Sequence, residues 1–188
     1  ATAVAVASDI TLTFNEAVRL INNSALDDSN VDALITLKEN NSSGADIAFN
    51  ATINGGKTVI TINPDSNLSS TQVVYVAIGA TVEDAANNAI NAANVSFTTA
   101  DVSAPTMAIT SAEVSDGASS NDSTLAMTFT SSEATSNFVV GDISVNGGAL
   151  SSFNATSTTV YTATFTPSGD GAKTIDVAGG AFTDSSSN

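Results

Sequence analysis

Residues 10–14 read Ile-Thr-Leu-Thr-Phe, apolar and polar in alternation, the pattern of a strand with one buried face. Stretches of the same kind recur at 34–38, 46–53, 57–62, 73–78 and 95–99, and again at 106–110 and 125–129. Between them stand Asn40-Asn41-Ser42-Ser43-Gly44, Asn54-Gly55-Gly56 and Asn63-Pro64-Asp65, residues that take tight turns without strain. No stretch carries a 3.6-residue period of useful length. The pattern predicts an all-β chain.

The second half repeats the first. Phe49-Asn50-Ala51-Thr52 returns as Phe153-Asn154-Ala155-Thr156, and Leu12-Thr13-Phe14 before Glu16 returns as Met127-Thr128-Phe129 before Glu133. Val76-Ala77-Ile78-Gly79-Ala80, leading to Asp84 and Asn88, returns as Val177-Ala178-Gly179-Gly180-Ala181, leading to Asp184 and Asn188. Landmarks in one order at an offset of about 100 residues mark two copies of a domain. The expected domains are residues 1–100 and 101–188, with the boundary in the Pro-stopped stretch 99–105. The copies are out of phase. The second has an opening segment at 105–114 without a match in the first, and the first has a closing strand, 95–99, without a match in the second. The expectation is one missing first strand, with nothing to replace it from residues 1–7, and one missing last strand. Cutting of the chain accounts for this more simply than strands supplied by neighbouring chains.

Composition narrows the function. Nineteen acids face four basic residues, Arg19, Lys38, Lys57 and Lys173, for a net charge of −15. Four scattered cations make no footprint for nucleic acid or for an anionic membrane surface, and no apolar run approaches the ~20 residues of a membrane span. With no Cys and no His, disulfides, thiolate ligands and the commonest general base are all absent.

Several stretches resemble a known family. "SDITLTFNEAV", "VVYVAIGATVEDAANNA" and "VSFTTAD" look like the bacterial Ig-like domains of S-layer proteins and large surface adhesins. "APTMAIT", "NDSTLAMTFTSSEAT", "GDISVNGGALSSF" and "YTATFTPSGDGAKTIDVAGGAFTD" are similar to repeats of giant bacterial adhesins. The resemblance implies two tandem immunoglobulin-like β-sandwiches in an extracellular or cell-surface protein. Where the family carries Gly in a D-x-x-G-N loop, Asn87 and Ser187 stand here, and Asn enters the left-handed region more readily than Ser.

Catalysis finds little support. No G-x-S-x-G elbow occurs, and the aromatic platforms that glycosidases use are scarce, with no Trp and only Tyr75 and Tyr161. The strand phenylalanines Phe14, Phe49, Phe97, Phe129 and Phe165 read as core. A Lys crosslink needs a buried Lys, and Lys38, Lys57 and Lys173 all sit at element ends. Metal binding is the stronger reading. In a seven-strand sandwich the loops after the second and sixth strands share the pole where the chain enters. That would gather Asp101, Glu133, Asp142, Asp184 and Asn188 at the joint between the copies. The first copy offers Glu16, Asp84 and Asn88. Oxygen ligands on flexible loops suit Ca²⁺. The same residue types are also common in ordinary turns, as at Asp65, Asp116 and Asp170.

The expected function is a structural spacer, without enzymatic activity, in an adhesin, stalk, filament or S-layer. Its partners would be neighbouring repeats of the same protein or copies of itself, and calcium would stiffen the joint. The rival is a ligand- or carbohydrate-binding module of an adhesin tip or secreted enzyme. A binder would carry an enlarged or aromatic loop; the one long loop, 19–33, is polar and has no aromatic residue.

Overall fold

The computed structural model describes residues 3–188, and the chain divides into two units between Asp101 and Val102. No α-helix occurs among the described residues; two three-residue 3₁₀ turns, Asp32–Leu34 and Val140–Asp142, are the only helical turns there.

In the first unit, β1 (Ile10–Thr13), β5 (Val59–Pro64) and β4 (Phe49–Ile53) form one antiparallel sheet in the order β1-β5-β4. A second holds β3 (Ile35–Glu39), β6 (Val73–Ile78) and β8 (Ala93–Thr98), with β6 central. A short ribbon pairs β2 (Arg19–Leu20) with β7 (Val82–Glu83). Successive side chains of a strand point to opposite faces, so alternate residues share the interior. Ile60 and Ile62 of β5, and Val74, Val76 and Ile78 of β6, are buried in that way. Each such side chain contributes roughly 1.5–3 kcal/mol on leaving water. Ile10, Leu12, Phe14 and Phe97 pack against this core while half-buried. Leu26, Val31 and Leu68 reach it from loops.

The second unit has β9 (Met107–Ser111), β10 (Leu125–Ser131), β13 (Val160–Pro167) and β12 (Gly148–Ala155) in one sheet, in the order β12-β13-β10-β9. Facing strands β11 (Ile143–Asn146) and β14 (Thr174–Val177) form a two-stranded sheet. Its core is aromatic where the first is aliphatic. Phe138 lies at ring-centroid distances of 4.9 Å from Tyr161, 5.2 Å from Phe182, 5.8 Å from Phe153 and 6.1 Å from Phe129. The ring of Phe165 fills the space beside Gly148 and leaves no room there for a Cβ.

Among the described residues, the first unit has no counterpart of β9 beside β1, and the second has no counterpart of β8 beside β14. The opening segment differs from expectation. Val4 forms a parallel bridge with Thr99: its N–H donates to Thr98 O at 3.0 Å, and Ala100 N–H donates to Val4 O at 2.6 Å. One bridge leaves no alternating pattern to read, so this contribution of Val4 escapes the sequence; residues 1 and 2 of the expected 1–7 stretch lie outside the described residues.

The separate cores make a prediction. Phe129→Ala deletes a fully buried ring from the second unit alone, at a cost of about 3–5 kcal/mol. Calorimetry should show a low-temperature transition move down while the first unit's transition holds.

Candidate metal centre

The proposed ligands sit in two loops built alike. In the first unit, Asp84 Oδ1 accepts the N–H groups of Ala86 (2.7 Å) and Asn88 (2.8 Å), and Asn88 Nδ2 donates to Oδ2 at 2.7 Å. In the second, Asp184 Oδ1 accepts from Ser186 (2.7 Å) and Asn188 (3.0 Å), and Asn188 Nδ2 donates to Oδ2 at 3.0 Å. The backbone closes each loop the same way, with Asp84 N–H donating to Asn88 O and Asp184 N–H to Asn188 O. Asn87 (φ 66°) and Ser187 (φ 71°) both adopt the left-handed conformation. Each carboxylate is thus the organiser of its own loop. Asp84 is held below the usual carboxylate range chiefly by the Asn88 N–H and amide, with help from the Arg19 charge. For Asp184 burial is the largest influence and pushes upward, but the hydrogen bonds from Asn188 and Ser186 outweigh it and the net direction is down.

The two units balance these charges differently. In the first, Arg19 Nε meets Glu83 Oε1 at 3.2 Å and its Nη2 donates to Asn87 Oδ1 at 2.9 Å, so a guanidinium clasps the loop. Glu16 is exposed and contacts Asn15 Nδ2 at 3.4 Å. In the second unit, Thr135 bridges to Asp184, and Asn137 exchanges hydrogen bonds with Thr183, accepting its N–H at 3.0 Å. Tyr161 Oη pins the same segment by donating to Thr135 O at 3.1 Å. These ties carry Glu133 beside Asp184, with carboxylate oxygens of the two within 4.8 Å. Asp142 is used otherwise: its Oδ2 accepts the Val139 N–H at 2.8 Å and caps the 3₁₀ turn before β11. Asp101, the last residue of the first unit, accepts a hydrogen bond from Ser70 Oγ at 2.9 Å. A hard cation would find only oxygen ligands at these positions.

Residues 1–99 match one family model and residues 101–188 match a second, and both models are described as a bacterial Ig-like domain. The chain belongs to the bacterial Ig-like domain family. Domains of this family are typically non-catalytic structural modules and usually occur in surface or extracellular proteins. No curated protein matches the chain. No helix among the described residues is long and apolar enough to cross a membrane.

Two acids that sequence reasoning left out have defined work in the first bacterial Ig-like domain. Asp28 Oδ1 accepts the Ile53 N–H at 2.8 Å, and Asp32 Oδ1 accepts the Ala51 N–H at 2.7 Å. Both N–H groups lie on β4, the edge of its sheet. The partners are 19 and 25 residues apart along the chain. No local motif signals them.

The lowered acids set the response to pH. Asp84 and Asp184 bind protons more weakly folded than unfolded, so their contribution is fully present above the ordinary Asp value of about 4. It is lost as pH falls through the lowered native values. Denaturant unfolding measured from pH 7 to pH 2 should show stability declining over that acid limb, and Asp84→Asn or Asp184→Asn should each flatten part of the decline.

Proposed function

We propose that this pair of bacterial Ig-like domains is a structural spacer in a repetitive bacterial surface or extracellular protein, of the adhesin, stalk, filament or S-layer kind. The observation that carries the reading is the use made of the long 19–33 loop. A binding loop holds its polar groups out for a ligand; this one turns Asp28 and Asp32 onto the β4 edge and sends Leu26 and Val31 into the core. Other polar groups in it satisfy one another, as Asn30 Oδ1 does for the Asp27 N–H and Asp27 Oδ1 for the Ser29 N–H. Covering a sheet edge stops unwanted strand pairing, a need shared by modules packed densely on a surface.

The test is Asp28→Ala and Asp32→Ala. Each leaves a strand N–H without its charged acceptor, so each should lose about 1.5–3 kcal/mol in denaturant unfolding and aggregate sooner. Unchanged stability would return the loop to the binding-module reading.

Calcium is proposed as the counter-ion of the second domain's acidic pole. The support is the approach of Glu133 to Asp184 within that domain, with Asp101 of the linker as the third oxygen donor that the sequence suggests. The first domain sets Arg19, a cation of its own, against the corresponding loop. Calcium held by the linker residue would also stiffen the tandem. Extracellular modules bind Ca²⁺ with dissociation constants of about 10⁻⁴–10⁻³ M, and binding to the folded form alone raises stability. Millimolar calcium should therefore raise the second domain's melting temperature and narrow the spread of maximum dimension in small-angle scattering, with both effects lost in Asp184→Ala. A wild type indifferent to calcium and to chelator would rule the ion out.

A further inference from the structure

The repeat Phe49-Asn50-Ala51-Thr52, with its return at 153–156, carries Asn-x-Thr, the acceptor pattern of an N-linked glycan. In a chain this rich in Asn, Ser and Thr the pattern recurs by composition alone, and the fold sorts its occurrences. A transferase has to lift the Asn and its hydroxyl residue off the surface together, which a loop tip permits and a paired strand resists. Asn50, Asn94 and Asn154 lie on β4, β8 and β12 and are held in their ladders. Asn67 stands in a loop, but the next residue, Leu68, is buried and donates its N–H to Val6 O at 2.9 Å. The Ser69 N–H is taken by Gln72 Oε1 at 2.8 Å, so that loop is tied down as well.

Asn41-Ser42-Ser43 is placed differently. All three are exposed, at the tip of the hairpin after β3, whose stem is closed by Glu39 N–H on Ala45 O at 2.9 Å. Asn41 Oδ1 accepts the Ser43 N–H at 2.8 Å, and Gly44 N–H donates to Asn41 O at 3.0 Å. The acceptor and its hydroxyl residue are therefore already bent toward each other. The amide is engaged through its oxygen; its nitrogen, the atom that must react, donates to nothing among the described residues. Asn22 makes the same turn, accepting the Ser24 N–H at 3.0 Å, and charge separates the two sites. Glu39 stands two residues before Asn41, whereas Leu20, Lys38 and Ser119 hold that place before Asn22, Asn40 and Asn121. Gln72 Nε2 donates to Glu39 Oε1 at 3.1 Å and fixes the carboxylate beside the tip, where a basic groove on a transferase finds an opposite charge.

We propose that Asn41 is an acceptor for an oligosaccharide carried on a lipid pyrophosphate. The step is a displacement at the first sugar. Asn41 Nδ2 bonds to its C1, and the bond from C1 to the pyrophosphate oxygen breaks. The lipid pyrophosphate leaves with that electron pair, and the Nδ2 proton passes to a base of the transferase. The inference rests on export of the chain, as the surface reading does, and holds for a spacer and a binder alike. A glycan at this tip adds bulk and solubility on the surface and displaces no core residue.

The test incubates the folded 188-residue chain with a bacterial oligosaccharyltransferase and an undecaprenyl-pyrophosphate-linked oligosaccharide, then locates the added mass by peptide mass spectrometry. The expected result is one main glycan, on the peptide that holds Asn41, with Asn67 unmodified. The added mass should be lost in Asn41→Gln and in Ser43→Ala, kept in Ser43→Thr and reduced in Glu39→Gln. Thermal melting of each variant should match wild type, which separates loss of the acceptor from loss of the fold. A synthetic peptide of residues 37–47 serves as the unfolded comparison. Three results would overturn the proposal: a modified peptide beside an unmodified chain, which would make the folded tip inaccessible; no addition to either, which would leave the pattern a product of composition; or a main glycan elsewhere on the folded chain.

Discussion

Burial of alternate side chains between two facing sheets is the constraint on which everything else here depends. With no cysteine in the chain, no disulfide cross-links the sheets, and each unit, at roughly 90–100 residues large enough for a core of its own, relies on that core. The two units meet the constraint with different materials. The first interlocks Ile and Val from β5 and β6 with anchors sent in from loops. The second gathers rings around Phe138, whose tilted and edge-on contacts add about 0.5–1.5 kcal/mol per pair beyond area alone.

The polar chemistry is subordinate to that burial. Acids that look like ligand donors in the sequence are spent on backbone N–H groups: Asp84 and Asp184 shape their loops and Asp142 caps a 3₁₀ turn. Asp28 and Asp32, which the sequence did not single out, cover an edge in the same way. A carboxylate accepting two or three N–H groups fixes a loop well, because hydrogen bonds to an ionised acceptor are roughly twice as strong as neutral ones. The units part company in what opposes the charge. Arg19 is an opposite charge supplied by the protein itself, whereas Glu133 beside Asp184 adds a second negative one.

Much of this architecture is legible because a strand declares itself locally. The alternation at 10–14, 73–78 and 125–129 follows from side chains pointing to opposite faces, and it appears at β1, β6 and β10. The repeat of Asp84 and Asn88 as Asp184 and Asn188 likewise located two equivalent loops. The illegible parts depend on distance along the chain. Leu26, Val31, Phe138 and Phe182 are core residues on loops, where no period marks them. The partnership of Asp28 with Ile53 exists only after the loop folds onto β4. Val4 escaped because a single bridge is shorter than any pattern.

The placement of the two tyrosines has an optical consequence. The chain has no tryptophan, and its only tyrosines are divided one to a unit: Tyr75 on β6 of the first, and Tyr161 buried on β13 of the second, edge-on to Phe138. Each domain therefore carries one native chromophore in an environment of its own, the first half-buried on the face of β6 that points away from the core and the second within a ring cluster. Tyrosine emission and near-ultraviolet dichroism, with Tyr75→Phe or Tyr161→Phe silencing one signal at a time, give each domain a private spectroscopic voice without any attached dye.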